Sequence, residues 1–371
     1  MRLLILDENY PHADNLLGSV FTHVRVKEYA KKHEVRVFSF FHTPREITYE
    51  GIDIEMFDDA AALLRAAEDF NPDKIIIHFF KSWMFDELIL KMKRPFLIWV
   101  HGYEVIGWYR RLYNWNVLSP LLLKHAVHNF HQQFTFRKFI RYANRHGNIK
   151  FIFVSDWMKR IAQYDTLSSI RNFSIIPNPI DTELFSFKEK SEDKRLKVLL
   201  LRSFESRKYA NDISVNAIKT LSRRPIFREF NFKLISVYGN MFETIIQPVK
   251  DFDNVLTLQQ SVPHQLIPGI HSEFGVFLCP TRQDSQGVSM CEAMASGLVP
   301  VTSQNTAIPE FVADRKDGFL TRSADEIADV FEFLYDNPQE FLKLSKAASE
   351  KMRNTCSLRT VITAELKEIE Q

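Results

Sequence analysis

The chain has 371 residues, enough for two ordinary cores, and its 45% hydrophobic and 25% charged content is that of a globular protein in water. A formal net charge of +2 argues against bulk binding of nucleic acid, and no apolar run approaches the roughly 20 residues of a membrane span. Three cysteines, Cys279, Cys291 and Cys356, have neither CxxC spacing nor an even framework, which excludes a disulfide scaffold and points to a reducing compartment. The opening MRLLILDENY turns acidic after six residues, unlike a signal peptide, so a cytoplasmic protein is expected.

Arg2–Leu6 reads as a buried strand leading into a loop. A helix is expected over residues 18–32, with Val20, Val24, Val26 and Tyr29 inward. Strands follow at 35–40 and 52–56, a helix at 60–67, then strands at 74–79 (KIIIHF) and Phe96–Val100 (FLIWV). Strand and helix in alternation mean an α/β fold with a doubly wound, mainly parallel sheet, which binds ligands at the carboxyl ends of its strands. His101 directly follows FLIWV and so stands at such an end. A structural histidine, hydrogen-bonded at the strand end, fits the same place.

Residues 108–150 are the most individual part of the chain. From Glu104 onward they carry Arg110, Arg111, Lys124, Arg137, Lys138, Arg141, Arg145 and Lys150 against one acid, Glu104 itself. Trp108, Tyr109, Tyr113, Trp115, Phe130, Phe134, Phe136, Phe139 and Tyr142 are interleaved with them. A helix over 130–144 puts Phe130, Phe134 and Arg137–Lys138 one turn apart. Such a helix suits an anionic membrane surface or a phosphate-bearing partner. It equally suits a solvated helix whose aromatic side packs into the core.

Residues 151–162 form a strand running into a helix capped by Ser155 or Asp156. IIPNPIDTELF (175–185) is stiffened by Pro177 and Pro179, and the charged run 186–195 reads as a linker. A second α/β domain then begins with LKVLLLRSFESRKYAND from Leu196, which places Arg202, Arg207 and Lys208 after a buried strand. Further strands are expected at 232–239, 255–258 and 276–279. A polar loop with Asp284 leads to a helix from Gly287 to Gly297, where a terminating glycine belongs. A strand at 298–301 and helices at 324–335, 340–353 and 358–369 complete the chain.

Glu292 is the one charged side chain between Ser285 and Pro309, on a largely apolar helix face, where a carboxylate needs a hydrogen-bond partner. It could close a capping box with Ser289. Alternatively it accepts hydrogen bonds from ligand hydroxyls, beside free N–H groups of Gly287, Val288 and Ser289 that suit a phosphate.

Asp284, seven residues, Glu292, then AMASGLVPV, IPEFV and DGF resembles the donor-site signature of family 4 glycosyltransferases. HGYE at 101–104 and IIPNPID at 175–181 also resemble that family. The resemblance implies a GT-B architecture, two Rossmann-like domains facing across a cleft, and transfer with retained anomeric configuration. The boundaries it gives are 1–180 with 356–371 for an acceptor domain, 181–195 for the linker, and 196–355 for a donor domain. Carried over residue by residue, it implies that Glu292 holds ribose hydroxyls and Asp284 sugar hydroxyls. Arg202, with Arg207 or Lys208, would hold the diphosphate, Gly18 would let the backbone approach the donor, and His101 would face the reacting sugar.

The expected partners are a nucleotide-diphosphate sugar, a glycan or lipid-linked acceptor and, through 108–150, an anionic membrane surface, with no nucleic acid. No cofactor or metal is expected beyond the co-substrate. A nucleotide-sugar epimerase on the same fold, and a non-catalytic glycan- or membrane-binding relative, are the rival readings.

Overall fold

The structure is a computed structural model that describes residues 1–13, 15, 18–40, 43–114 and 119–371. Trp115 of the basic aromatic segment lies outside the described residues. The chain divides into two compact units, Met1–Pro179 with Arg359–Gln371, and Ile180–Leu358.

In the first unit, β1 (Arg2–Leu6), β2 (Glu34–Phe40), β3 (Arg45–Tyr49), β4 (Ile52–Phe57), β5 (Lys74–His78), β6 (Phe96–Val100), β7 (Ile149–Phe153) and β8 (Phe173–Ile175) form one sheet. Its order is β3-β4-β2-β1-β5-β6-β7-β8, parallel throughout except between β3 and β4. That antiparallel hairpin was not expected. Its two-residue turn, Glu50 at φ 46° and Gly51 at φ 81°, has the left-handed geometry that a right-twisted hairpin requires. Strand order reverses between β1 and β5, so the loops after Leu6 and His78 diverge there.

Phenylalanine fills much of this unit's core. Phe80, Phe136, Phe139, Phe151 and Phe153 are fully or nearly fully buried, with Phe80 and Phe139 stacked 4.8 Å apart. Helix α1 (Val20–Ala30) departs from its expected face: Thr22, His23 and Arg25 are buried with Val26 and Tyr29, while Val20 and Val24 are only partly covered. The polar face is matched by the returning helix α9 (Leu358–Glu370). Arg25 Nε donates to Glu365 Oε1 at 3.1 Å, Arg25 Nη2 to Asn178 Oδ1 at 3.2 Å, and Tyr29 Oη to Glu365 Oε2 at 2.5 Å.

Intervening helices of this unit are α2 (Ala60–Phe70), α3 (Pro120–His146) and α4 (Asp156–Asp165). Helix α3 is longer than its aromatic core suggested. Ser119 caps it by accepting from Leu121 N, Pro120 opens it, and Gly147 closes it at φ 70°. For α4 the cap is Ser155, whose hydroxyl accepts from Met158 N at 3.2 Å.

In the second unit, β9 (Lys197–Arg202), β10 (Asn231–Ser236), β11 (Val255–Gln259), β12 (Val276–Leu278), β13 (Val299–Ser303) and β14 (Phe319–Thr321) form a fully parallel sheet. The order β11-β10-β9-β12-β13-β14 is the doubly wound Rossmann arrangement, with its reversal between β9 and β12. Helices α5 (Asn211–Leu221), α6 (Val288–Ala295), α7 (Ala324–Asp336) and α8 (Pro338–Thr355) cover it.

The segment 181–195 is not a free linker. Phe187 packs against Gly297, where an added Cβ would come within 2.8 Å of its ring, and the buried Lys190 donates to the His271 carbonyl at 2.9 Å. Its charged composition hid these two anchors.

Candidate active site

At the reversal point of the second sheet, β9 ends on Arg202 and β12 leads into the loop 279–287. Arg202 is buried, and its Nη1 donates to the carbonyls of Cys279 at 3.3 Å and Pro280 at 2.9 Å. Its Nη2 lies 3.8 Å from Asp284 Oδ2, and its guanidinium packs 5.0 Å over the Tyr209 ring. A buried guanidinium held by two carbonyls keeps its direction without a bound anion.

The Arg207–Tyr209 turn is stitched to the same loop through its backbone. Thr281 Oγ1 donates to the Lys208 carbonyl at 3.0 Å, and Arg282 N donates there at 2.8 Å. Arg282 also forms a two-pronged pair with Asp212, at 2.8 and 2.6 Å. Lys208 Nζ sits 5.2 Å over the Tyr209 ring that Arg202 shares, whereas Arg207 is exposed. Of the two candidates for the second diphosphate cation, Lys208 is the one that shares a ring contact with Arg202.

Helix α6 starts at Val288, after Gly287 in a left-handed conformation at φ 81° that L side chains rarely adopt. The expectation of a free Gly287 N–H is corrected: it donates to Asp284 Oδ1 at 3.0 Å. Asp284 is therefore largely buried and turned inward, because its carboxylate closes the tight turn that precedes the helix. The helix has no side-chain cap, which leaves the Val288 and Ser289 N–H groups directed out of its start. Its other end is satisfied by α8, since Ser345 Oγ donates to Gly297 O at 2.5 Å and Ser349 Oγ to Ala295 O at 2.8 Å.

The capping box weighed for Ser289 and Glu292 is absent. Glu292 turns to His264, whose Nε2 lies 2.8 Å from Glu292 Oε1. Burial opposes the imidazolium, but the hydrogen bond and charge of Glu292 outweigh it and raise the His264 pKa. Phe185 meets the same imidazole edge-on at 5.2 Å. His264 is a partner of Glu292 that the sequence did not reveal, and its one signal was a histidine in the turn SVPHQLI.

A depression of about 630 Å³ opens beyond β9, β10 and β11, lined by Glu205, Tyr238, Gly239, Asn240, Gln259 and Gln260. Gly239 lets the chain pass against Phe204: a Cβ there would stand 2.1 Å from the Phe204 carbonyl carbon.

In the first unit, His101 follows β6 and its Nε2 lies 3.0 Å from Nδ1 of the buried His78. Burial and the nearby Arg25 push both imidazoles well below the usual histidine range, so both are neutral near pH 7. Phe79 stacks 4.5 Å from His101 while held at φ 56°, a strained backbone for an aromatic residue. The buried Glu104 carboxylate accepts from His101 N at 3.2 Å and Gly102 N at 2.7 Å and so fixes the turn that carries the histidine. Gly18 spends its missing side chain inside its own loop, because a Cβ would stand 2.4 Å from the Asn9 carbonyl. Among the described residues, no group of three or more His, Cys, Asp or Glu side chains could hold a metal ion.

Residues 195–337 match the family model described as "Glycosyl transferases group 1". The second unit is a group 1 glycosyltransferase domain. A sucrose synthase from Nitrosomonas europaea is 29% identical over 103 residues, which is 26% of this chain and 13% of that relative's length. Solved structures extend the likeness to the whole chain at the level of fold. A sucrose-phosphate synthase from Thermosynechococcus elongatus superposes with a TM-score of 0.78 at 13% identity, covering 100% of this chain and 98% of its own. The Anabaena protein HepE, solved with UDP and glucose, gives 0.72 at 16% identity, covering 100% and 99%. Trehalose-6-phosphate synthase OtsA gives 0.71 at 10% identity, covering 100% and 99%. The group 1 glycosyltransferase domain is thus one half of a GT-B fold.

Proposed function

We propose that the protein is a retaining glycosyltransferase that moves a hexose from a nucleotide-diphosphate sugar to a glycan or lipid-linked acceptor, in synthesis of a surface polysaccharide or glycoconjugate. One observation carries this reading: at the reversal point of a Rossmann sheet, Arg202 at the end of β9 stands beside Asp284, whose carboxylate holds the uncapped start of α6, the helix that carries Glu292. Such a place offers cations and N–H donors to a diphosphate and a carboxylate to ribose hydroxyls.

In this reading Arg202 and Lys208 neutralise the negative charge that gathers on the diphosphate as its bond to the anomeric carbon breaks. The Val288 and Ser289 N–H groups add to that stabilisation without reorganising. Glu292 holds the ribose through Oε2, since Oε1 is taken by His264. Asp284 has one oxygen tied to Gly287 and the other 3.8 Å from Arg202, and that second oxygen is the one left to meet sugar hydroxyls. The base occupies the depression beside Gly239 and Gln260. His101, neutral, is suited to hydrogen bonding rather than to charge stabilisation. No divalent ion is assigned a role, because the two cations already meet the diphosphate. The acceptor's polar groups suit a depression of about 370 Å³ at the carboxyl ends of β1, β2 and β4, lined by Glu8, Tyr10, His12, Ser39 and Arg45 among others.

HepE was solved with UDP and glucose, so UDP-glucose is the first donor to try. Release of nucleoside diphosphate from UDP-, GDP- and ADP-hexoses, measured with and without candidate acceptors, tests the reading. Glu292→Gln should lower kcat/KM by about tenfold or more, equivalent to ~1.4 kcal/mol of transition-state binding. Wild-type kinetics in that variant, or an isomerised nucleotide sugar in place of released nucleotide, would overturn it.

A further inference from the structure

Helix α3 has two unlike faces. Leu122, Phe136, Phe139, Ile140 and Ala143 point into the core. On the opposite side Leu123 is 69% exposed, Val127 65%, Phe130 68% and Phe134 49%. Spacings of four, three and four residues place these side chains in a single row along the helix. The row continues at the same spacing into Lys138, Arg141 and Arg145, all exposed, while Lys124, His128 and His131 flank its apolar half. Lys138 Nζ caps the apolar stretch, 4.8 Å over the Phe134 ring. No acidic residue occurs from Val105 to Ser155.

Not every cation of this segment belongs to the surface. Arg110 is paired with Asp165 at 2.9 Å and Lys150 with Glu368, so their charge is met inside the first unit. What is left is concentrated on the outer face of α3. That helix is fastened by side-chain amides: the buried Asn129 Nδ2 donates to Ile106 O at 3.0 Å and Gln132 Nε2 to Phe80 O at 3.1 Å, and the half-buried Gln133 Nε2 to Val105 O at 3.0 Å. An apolar row on a rigid helix is a constant exposure of oily surface to water, of the kind that marks an interaction site.

We propose that the outer face of α3 docks on an anionic lipid bilayer. The row Leu123, Val127, Phe130 and Phe134 enters the boundary between headgroups and acyl chains, and Lys124, Lys138, Arg141 and Arg145 meet lipid phosphates. Charge complementarity selects this occupant. A second copy of the chain would set one acid-free basic row against another and repel itself. Nucleic acid would satisfy the cations but leave the apolar half in water. No described helix is long and apolar enough to cross a membrane. Gln133 and Asn129 hold the carbonyls of Val105 and Ile106, in the loop that His101 opens, so docking would also steady that loop.

The test is co-sedimentation of the full chain with vesicles of phosphatidylcholine alone and of phosphatidylcholine mixed with phosphatidylglycerol. Binding is expected to the mixed vesicles only, and to weaken as salt is added. The double substitutions Phe130→Ser with Phe134→Ser, and Lys138→Glu with Arg141→Glu, should each reduce partitioning about tenfold or more. Both should keep the wild-type thermal midpoint and nucleotide binding, which separates loss of docking from loss of fold. Three outcomes would overturn the proposal: equal recovery on the two vesicle types, wild-type partitioning by both variants, or a wild-type dimer in solution that the Phe130→Ser, Phe134→Ser chain no longer forms.

Discussion

Glu292 and His264 form a pair whose protonation can be followed directly. Because the folded-state pKa of His264 is raised, its stabilising contribution is complete below the unfolded value of about 6.5 and is lost as pH rises through the folded value. An NMR titration of His264 should therefore give a midpoint above about 6.5, and Glu292→Gln should bring it down. A midpoint unmoved by that substitution would contradict the pairing. Asp7, at the end of β1, makes the opposite kind of site. It is buried, its Oδ2 has no hydrogen-bond partner, and burial pushes its pKa up to about 6. A raised carboxyl adds stability at low pH, and that contribution is lost as pH rises from the unfolded value to about 6. Ionised Asp7 thus costs about 3 kcal/mol at neutral pH. Asp7→Asn should raise the thermal midpoint at neutral pH and give little gain near pH 4, which a pair of melting curves would check. The residues of the second unit's candidate site stand out in the sequence because they fall in one continuous motif, from Asp284 to Glu292, with Arg202 after a strand. Their partners do not. His264 stands 28 residues before Glu292, and nothing in a linear pattern says which carboxylate a turn histidine will meet.

Elements were readable where one physical cause dominates. Glycine in a left-handed conformation ends α6 at Gly297, φ 83°, as its sequence position implied. The hairpin β3–β4 was hidden because its turn is Glu-Gly, without the Asn-Gly signature that favours the same geometry. Helix α1 misled for a different reason: its inward face is partly polar, and burial of Arg25 rests on the distant Glu365 and Asn178. The segment 186–195 was read by charge, although Phe187 and Lys190 anchor it. Gly239 offers a test at this scale. Gly239→Ala would force a Cβ into the Phe204 backbone at φ 128°, and it should destabilise the second unit by more than about 2 kcal/mol in a denaturant titration. A neutral result would mean that the close approach of these two chains is not required.

For the whole molecule, alternating strand and helix announced two doubly wound sheets, but not their strand orders. Order depends on which side of the first strand each crossover takes, and hydrophobic runs as similar as KIIIH and FLIWV carry no such label. The return of Arg359–Gln371 to the first unit was implied by resemblance; the segment buries Val361, Ile362, Leu366 and Ile369 and completes a buried ion pair with Arg25. Removing one partner leaves a buried charge unmatched, so Glu365→Ala should destabilise the first unit by about 3–5 kcal/mol. Thermal melting should show that loss in full, and a change under about 1 kcal/mol would mean that Arg25 finds other partners.

The most direct measurement is a thermal-shift panel of UDP, GDP and ADP, with and without magnesium, on the wild type, Arg202→Ala and Glu292→Gln. A ligand that binds the folded state alone raises the midpoint. A donor site built from Arg202, Lys208, the start of α6 and Glu292 requires that one nucleotide raise the wild-type midpoint without magnesium, and that both substitutions cut the shift. No shift with any nucleotide, or full shifts in both variants, would contradict it.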